Sequence, residues 1–363
     1  MGYYDGKNEP WMIGQSVWQM IWFSLGSTFI TLPVGYFVMP FVFGKSAVGQ
    51  IACQYFTIML WGNFLFPLGS ALSSFFIGLG KTNLVFVVSL ATYLLHAVLS
   101  FLLIFPFGVV GAAIAALASQ AVICLVYFVL FLSREMKRYE CRIYRFCPSL
   151  FIKQMQASLP AGIAPFITQS AWVAASRLCA IKGADYLLVF SIGTSFTVAC
   201  TFIRDALFQA VMSSASYLIG SNNYKGLMEL CRQAFCFHGL IIFVLSIPFL
   251  IFTKELLELS FKGVEIPLFV LYSIWLFLIA DGFRAIGMGL VAATRETAFF
   301  IFCGFMGWAS GYLPTYLAFE VWMWPAKTLW LISIFNAVVI GSLYFFKARS
   351  LILGKSYTQA PLR

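Results

Sequence analysis

Long apolar runs separated by short polar segments recur along the whole chain. Each run approaches or exceeds the roughly 20 residues that a helix needs to cross the hydrocarbon layer of a bilayer. The runs are too long for the strands of a barrel, and they lack the alternation of such strands. We therefore predict an all-α multi-pass membrane protein. The ten apolar runs lie at residues 14–40, 50–77, 84–106, 108–133, 156–181, 187–219, 235–253, 266–293, 298–319 and 326–346.

The sequence also contains an internal repeat. Residues 78–82 end one apolar run and residues 293–297 end another, and their closing threonines lie 215 residues apart. The same offset pairs residues 4–8 with residues 219–223. A duplicated unit in a membrane chain is typical of two helical bundles that face one another across a transport pathway. The repeat therefore predicts two pseudo-symmetric helical lobes and favours a transporter.

The repeat predicts four helices in the first lobe and six in the second, about ten transmembrane helices in all. The predicted domains are an N-terminal lobe at 1–133, a basic cytoplasmic connector at 134–152, a C-terminal lobe at 153–350 and a cytoplasmic tail at 351–363. Two runs precede the loop 219–223, whereas none precedes the matching loop 4–8. The symmetry thus predicts that two helices are missing at the amino end. A misassigned start, a truncated gene or a separate peptide that supplies the pair would each explain this.

Composition and charge support a membrane protein. The chain is 61% hydrophobic and only 10% charged, whereas soluble domains carry roughly 25% charged residues. Most Lys and Arg residues outside the runs, including the cluster at 134–145, fall on one side of the membrane. The other side receives Lys45, Lys182, Lys254, Lys262 and Lys327. This positive-inside bias predicts a cell inner membrane protein with both termini in the cytoplasm. The net charge of +10 is therefore a topology signal, and we expect membrane lipid, not nucleic acid, as a partner.

The sequence gives no support for several other chemistries. Nine cysteines are scattered without a paired CxxC set, so we expect neither a metal site nor a disulfide framework. No glycine-rich loop has phosphate-binding spacing, so ATP is not the expected energy source. We find no nucleophile, base and acid set, and we therefore do not expect an enzyme.

Four stretches are similar to one transporter family. Residues 77–82 resemble its R-G-x-G-D-T element, with Ile77 and Lys81 at the Arg and Asp positions. Residues 97–105 with 108–113 are similar to its fifth and sixth helices, 159–163 to the opening of its seventh, and 280–289 to the tenth helix of its cation-coupled branch. In this order and spacing the chain resembles the multidrug and toxic compound extrusion (MATE) family from about Tyr4 to Leu353. The resemblance implies two six-helix lobes, with the first two helices missing here.

The resemblance also implies a function. MATE-like proteins are secondary antiporters, so we expect export of small lipophilic or cationic compounds in exchange for H⁺ or Na⁺, with no other cofactor. One alternative is a lipid-linked sugar flippase of a related two-lobed family, which predicts a cationic groove in the first lobe. Another is a truncated remnant or accessory subunit without transport, which the missing helices motivate.

Asp281 is the main candidate for ion coupling. It lies deep in an apolar run, where a charge costs about 2.5–3.5 kcal/mol on insertion scales and is usually paired or functional. Desolvation favours its protonated form. The resemblance implies that this acid binds the coupling cation, H⁺ or Na⁺. The alternative is a structural ion pair with Arg284 one helical turn away, a residue that departs from the family pattern and competes with an incoming cation.

Three further residues complete the predicted ion-coupling set. Arg204 and Asp205 form a second charged pair within an apolar run, and we expect Arg204 to meet Asp281 across the second lobe. His96 occupies the family's fifth-helix Asn position, where it either relays protons or packs as a neutral imidazole. His238 has no marked partner in the sequence, and we interpret it as structural.

Four residues are predicted to line a substrate cavity. Thr168 and Gln169 stand at the family's seventh-helix acid position, where their oxygens either face Na⁺ and substrate or bond to neighbouring helices. Asn63, near Pro67, is expected to bend the second run toward a cavity. Phe277 belongs to the aromatic residues that would stack on flat lipophilic cations.

Overall fold

The computed structural model describes residues 2–43, 47–142, 145–251, 268–294 and 296–358, and the regular elements in these ranges are helices. The α-helices are α1 Gly2–Gly6, α2 Trp11–Phe43, α3 Ala47–Trp61, α4 Leu65–Gly78, α5 Thr82–Phe131, α6 Pro148–Lys182, α7 Ala184–Gly220, α8 Tyr224–Ile251, α9 Leu268–Ala293, α10 Ala298–Gly307, α11 Leu313–Tyr316 and α12 Leu329–Thr358. Two π turns, Trp308–Tyr312 and Leu317–Val321, flank α11. Short 3₁₀ turns lie at Arg134–Tyr139 and Ala326–Thr328. The predicted all-α class is confirmed.

Membrane-spanning helices are present throughout the described ranges. Five helices are long and apolar enough to cross a membrane, and seven spans result when each of two bent helix pairs counts as one. The chain is therefore a multi-pass membrane protein. The predicted number of ten is higher partly because the runs 84–106 and 108–133 share α5, which breaks at Gly108 with φ 56° and ψ −132°. Two further runs are not counted as spans by length and apolar composition: 156–181, on polar-rich α6, and 298–319, across the π turns. Run 235–253 ends outside the described residues.

The helices pack into two compact units, Met1–Gln154 and Met155–Arg363. The core of the first unit joins α2, α4, α5 and the segment after α5, and Leu72, Phe75 and Phe131 are fully buried in it. The core of the second unit surrounds α9, which packs along α7 and α12 and buries Ile274. Because the neighbouring helices shield α9 from lipid, α9 can hold charged residues.

The repeated loops adopt the same turn in both halves of the chain. Asn8 (φ 58°) and Asn222 (φ 57°) both have left-handed backbones. The following residues, Glu9 and Asn223, donate their N–H groups to carbonyls five residues earlier, at 2.9 and 2.8 Å. Asparagine tolerates this conformation better than other residues with a side chain. The two loops therefore match in geometry as well as in sequence, with the asparagines 214 residues apart.

The segment between α5 and α6 is packed on α2. Trp18 donates its indole N–H to the carbonyl of Cys141 at 2.8 Å. The Gln19 amide donates to the carbonyl of Arg145 at 2.9 Å and accepts from the N–H of Cys147 at 3.1 Å. Gly14 lets the segment approach closely, because a Cβ there would lie 2.1 Å from the carbonyl oxygen of Tyr139. Both described parts of the basic connector therefore pack against α2 within the first unit.

Two cysteines of this segment should differ in reactivity. Burial raises the pKa of the Cys141 thiol to about 12. The Ser149 hydroxyl, the N–H of Leu150 and the Lys153 charge hold the pKa of Cys147 below its ordinary value. Since the thiolate is the nucleophile, iodoacetamide at about pH 8 should modify Cys147 severalfold faster than Cys141, as measured by mass spectrometry of the two peptides.

The matched control is Ser149→Ala, which removes the hydroxyl that lowers the pKa of Cys147 and should therefore slow its modification. Its reaction rate should still rise with pH as more thiolate forms. Faster modification of Cys141 than of Cys147 in the native protein would contradict the packing described above.

Candidate functional site

A cavity of about 380 Å³ lies inside the second unit. Its walls come from α6, α7, α9, α12 and the segment that contains α10, α11 and the π turn between them. The predicted residues Thr168, Gln169, Phe277, Arg204 and Arg284 all line it. The structure therefore joins two groups that the sequence treated separately, the cavity residues and part of the ion-coupling set.

One end of the cavity is aromatic. The rings of Trp172 and Phe190 lie 4.8 Å apart, and the ring of Phe277 lies 5.3 Å from that of Trp330. Trp330 is fully buried behind these rings and donates its indole N–H to the carbonyl of Val189 at 3.1 Å. This end offers a flat apolar surface, on which ring systems and aliphatic groups pack well.

A face of α7 lined by threonines continues the wall. Thr194, Thr197, Thr201 and Arg204 follow one another at intervals of three and four residues, the spacing of one helix face, and all four line the cavity. Each threonine hydroxyl donates to the carbonyl four residues earlier, at 2.6–2.9 Å. The hydroxyl protons are thus used within the helix, and the oxygens keep lone pairs for hydrogen-bond donors in the cavity. This spacing was a usable sequence signal that we did not recognise.

The π turn after α10 shapes the opposite wall. Asn336 of α12 donates to the carbonyl of Gly307 at 3.3 Å and to the hydroxyl of Ser310 at 2.8 Å. Trp308 donates to the carbonyl of Ile167 at 3.0 Å, which ties the π turn to α6. Such one-turn π segments occur frequently at functional sites because they redirect side chains. Here the segment presents Tyr312 and other residues to the cavity.

Four charged side chains form one network at the other end. Arg204 donates to Asp205 Oδ1 from Nε at 2.9 Å and from Nη2 at 2.8 Å. Its Nη1 lies 3.9 Å from Asp281 Oδ2. The other carboxylate oxygen of Asp281 accepts a short hydrogen bond from Nη2 of Arg284. Both arginines line the cavity, whereas neither aspartate does.

Asp281 is thus buried between two arginines. It is only 4% exposed. The guanidinium groups place positive charge on both sides of it and repel an approaching Na⁺. This geometry is that of the structural ion pair, and it gives no support to Asp281 as the carrier of H⁺ or Na⁺, which stays a prediction. In the described residues, no three His, Cys, Asp or Glu side chains gather as a possible metal site.

His238 belongs to the same region, although its sequence context gave no sign of this. Its Nε2 lies 3.3 Å from the carbonyl oxygen of Ile279, and its Nδ1 is buried without a hydrogen-bond partner. The ring packs against Gly282, where a Cβ would lie 2.0 Å from it. A small cavity of about 20 Å³ separates it from Arg204 and Asp281. That volume suffices for about one water molecule.

The remaining predicted residues lie in the first unit, so the structure does not join them to this network. His96 Nδ1 lies 3.4 Å from the hydroxyl of Ser119, a contact expected of a packed imidazole. Asn63 lies at the break between α3 and α4, where the helix axis bends by 49°. The predicted bend is therefore present, and it precedes Pro67.

Comparison with known proteins places this fold. Residues 1–102 match the MatE family model. A relative named probable multidrug resistance protein NorM, from Rhizobium meliloti (strain 1021), is 25% identical over 319 residues, which are 81% of this chain and 67% of the relative. A protein of the same name from Bacillus cereus (strain ATCC 10987 / NRS 248) is 21% identical over 90% of this chain and 76% of its own. A crystal structure of a MATE mutant matches with a TM-score of 0.87 at 17% identity, over 98% of this chain and 81% of that one.

The chain is similar to MATE transporters in sequence and in fold. Another solved structure with the same fold is a MOP superfamily transporter from Pyrococcus furiosus, with a TM-score of 0.84 at 17% identity over 97% of this chain and 81% of that one. It is described by a reverse polarity of its binding pocket that suggests a different function. At these identities the solved structures establish the MATE fold, and the properties of the cavity must be derived from this chain's own residues.

Proposed function

We propose that this MATE-like protein is a secondary transporter that moves small organic compounds across the membrane through the second-unit cavity. The observation that carries the proposal is the cavity itself. Its volume of about 380 Å³ falls within the 300–1,000 Å³ range of small-molecule sites, and it combines aromatic rings with a few polar groups. The named relatives, probable multidrug resistance proteins, support a role in export.

Exchange for an ion is part of the proposal, but Asp281 is an unsuitable carrier in this arrangement. Its two guanidinium neighbours already supply the positive charge that a coupling ion would bring. A fixed network of this kind holds the cavity wall in place during a transport cycle. The proposal therefore assigns ion coupling to a group other than Asp281. It also places the protein in the inner membrane with both termini in the cytoplasm.

The test is transport by the purified full-length chain in liposomes, with a panel of fluorescent small compounds. Thr197→Phe places a ring in the cavity and should lower transport at least about tenfold, equivalent to about 1.4 kcal/mol of lost binding energy. Ser195→Phe makes the same change on an exposed face of α7 and should transport like the native chain.

Two results would count against the proposal. Equal transport by the Thr197→Phe and native proteins would move the substrate path out of this cavity. No transport of any compound by the native chain would favour the remnant or accessory protein that the sequence left open.

A further inference from the structure

We propose that the second-unit cavity selects organic anions, with an acidic group bound by Arg204 and Arg284 and an apolar body on the aromatic rings. This inference rests on the proposed transport function and names its substrate class. It replaces the small cations that the family resemblance implied with compounds of opposite charge.

The first argument is the supply of unused hydrogen-bond donors. A guanidinium group carries five N–H donors. Arg284 uses one of them, toward Asp281, and Arg204 uses its Nε and one from Nη2, toward Asp205. Within the described part of the chain, no other hydrogen-bond acceptor satisfies either group. Several donors on the cavity wall are therefore available to a ligand.

The second argument is the placement of charge. Both arginines line the cavity, while no Asp or Glu among the described residues does. Asp281 lies behind them at 4% exposure, and the side chain of Asp205 is 57% exposed outside the lining. An anion in the cavity therefore meets positive charge first, and a cation would have to approach two arginines. The planar guanidinium fork also matches a carboxylate, sulfonate or phosphate group.

The third argument is that the two arginines are held in place before any ligand arrives. Asp281 contacts both guanidinium groups, and Asp205 fixes Arg204 from the other side. Donors that are already oriented lose little conformational entropy on binding. We therefore assign Asp281 as a positioning residue for the anion site.

The shape of the cavity completes the ligand class. Phe277 and Arg284 stand seven residues apart on α9, about 10 Å along the helix axis. A ring system with a single acidic group spans this distance. The threonine oxygens between the two ends accept hydrogen bonds, so hydroxyl or amide donors on the body of the ligand are also accommodated.

The experiment measures binding to the purified full-length chain in detergent by calorimetry. The probes are three ring systems (phenyl, naphthyl and indolyl), each as the acetate, the acetamide and the ethylammonium compound, so that the ring stays constant while the charge varies within a set. We expect the acetate of at least one set to bind tightest, with the amide weaker by about tenfold or more and the ammonium compound weakest.

Variants identify the site. Arg284→Gln and Arg204→Gln should each weaken acetate binding on the order of 10- to 100-fold, with little change for the amide. Arg177→Gln removes a guanidinium from the same unit outside the cavity lining and should have no effect. Arg284→Lys retains the positive charge without the planar fork, so its affinity for the acetate should lie between those of the native chain and of Arg284→Gln. If Arg284→Gln folds poorly, Asp281→Asn/Arg284→Gln keeps the net charge and replaces it.

Each outcome is decisive. Tighter binding of the ammonium compounds, lost in Thr197→Phe, would overturn the anion inference and leave the transport proposal intact. Acetate binding that Arg177→Gln weakens as much as Arg284→Gln would also overturn it. Binding of no compound of any charge, together with no transport in liposomes, would remove both.

Discussion

Asp281→Asn is expected to lower the free energy of unfolding by about 3 kcal/mol, because removal of one partner from a buried ion pair leaves the other charge uncompensated. The side chains of Arg284 and Arg204 are 20% and 35% exposed, so we take the lower end of the usual 3–5 kcal/mol range. The measurement is chemical or thermal unfolding of the purified protein in detergent.

The matched control is Asp205→Asn, which also removes a carboxylate from Arg204 but at a side chain that is 57% exposed. Its cost should stay below about 1 kcal/mol. The double variant Asp281→Asn/Arg284→Gln should recover part of the loss, since it removes the uncompensated charge as well. A single variant as stable as the native chain would show that Asp281 is not held by the two arginines.

Trp330→Ala is expected to cost about 3–5 kcal/mol, the usual penalty for truncating a fully buried aromatic side chain. The ring also loses its hydrogen bond to Val189 and its contacts with Trp172 and Phe277. Trp322→Ala, at a residue that is 54% exposed, serves as the control and should change stability by about 0.5 kcal/mol or less. Both values come from the same unfolding measurement.

The effect of Gly193→Ala on stability is expected to change sign when the Trp330 ring is removed. A Cβ on Gly193 would lie 1.9 Å from the Trp330 ring, so Gly193→Ala should cost about 1–3 kcal/mol in the native chain. In the Trp330→Ala background the ring is absent, and the same change should stabilise α7 by up to about 1 kcal/mol because alanine favours a helix. The same sign in both backgrounds would contradict the packing of Trp330 on Gly193.

The features that could be predicted from the sequence are those that depend on few tertiary contacts. Apolar runs predict helices because no other spanning structure suits them, and the repeat predicts two lobes. The meeting of Arg204 with Asp281 could also be anticipated, because charged groups at membrane depth have few other partners. The consequence of that meeting was harder to foresee, because only coordinates show that the arginines face the cavity and the aspartates do not.

Other features depend on tertiary contacts. The π turn Trp308–Tyr312 is held by hydrogen bonds to distant helices, from Asn336 of α12 to Ser310 and from Trp308 to Ile167 of α6. His238 lies near the network because Gly282 leaves room for its ring. The break at Gly108 requires a positive φ, which glycine permits but does not demand.

The π turn before α11 has a consequence for how binding specificity can evolve. It accommodates one residue more than an α-helical turn, so the helix that follows is rotated by about 100° relative to an uninterrupted one. Deleting a single residue there would turn Tyr312 and Thr315 away from the cavity while leaving every other wall unchanged. Homologues could therefore acquire a new ligand range by an insertion or deletion in this helix, with no substitution at any contact position.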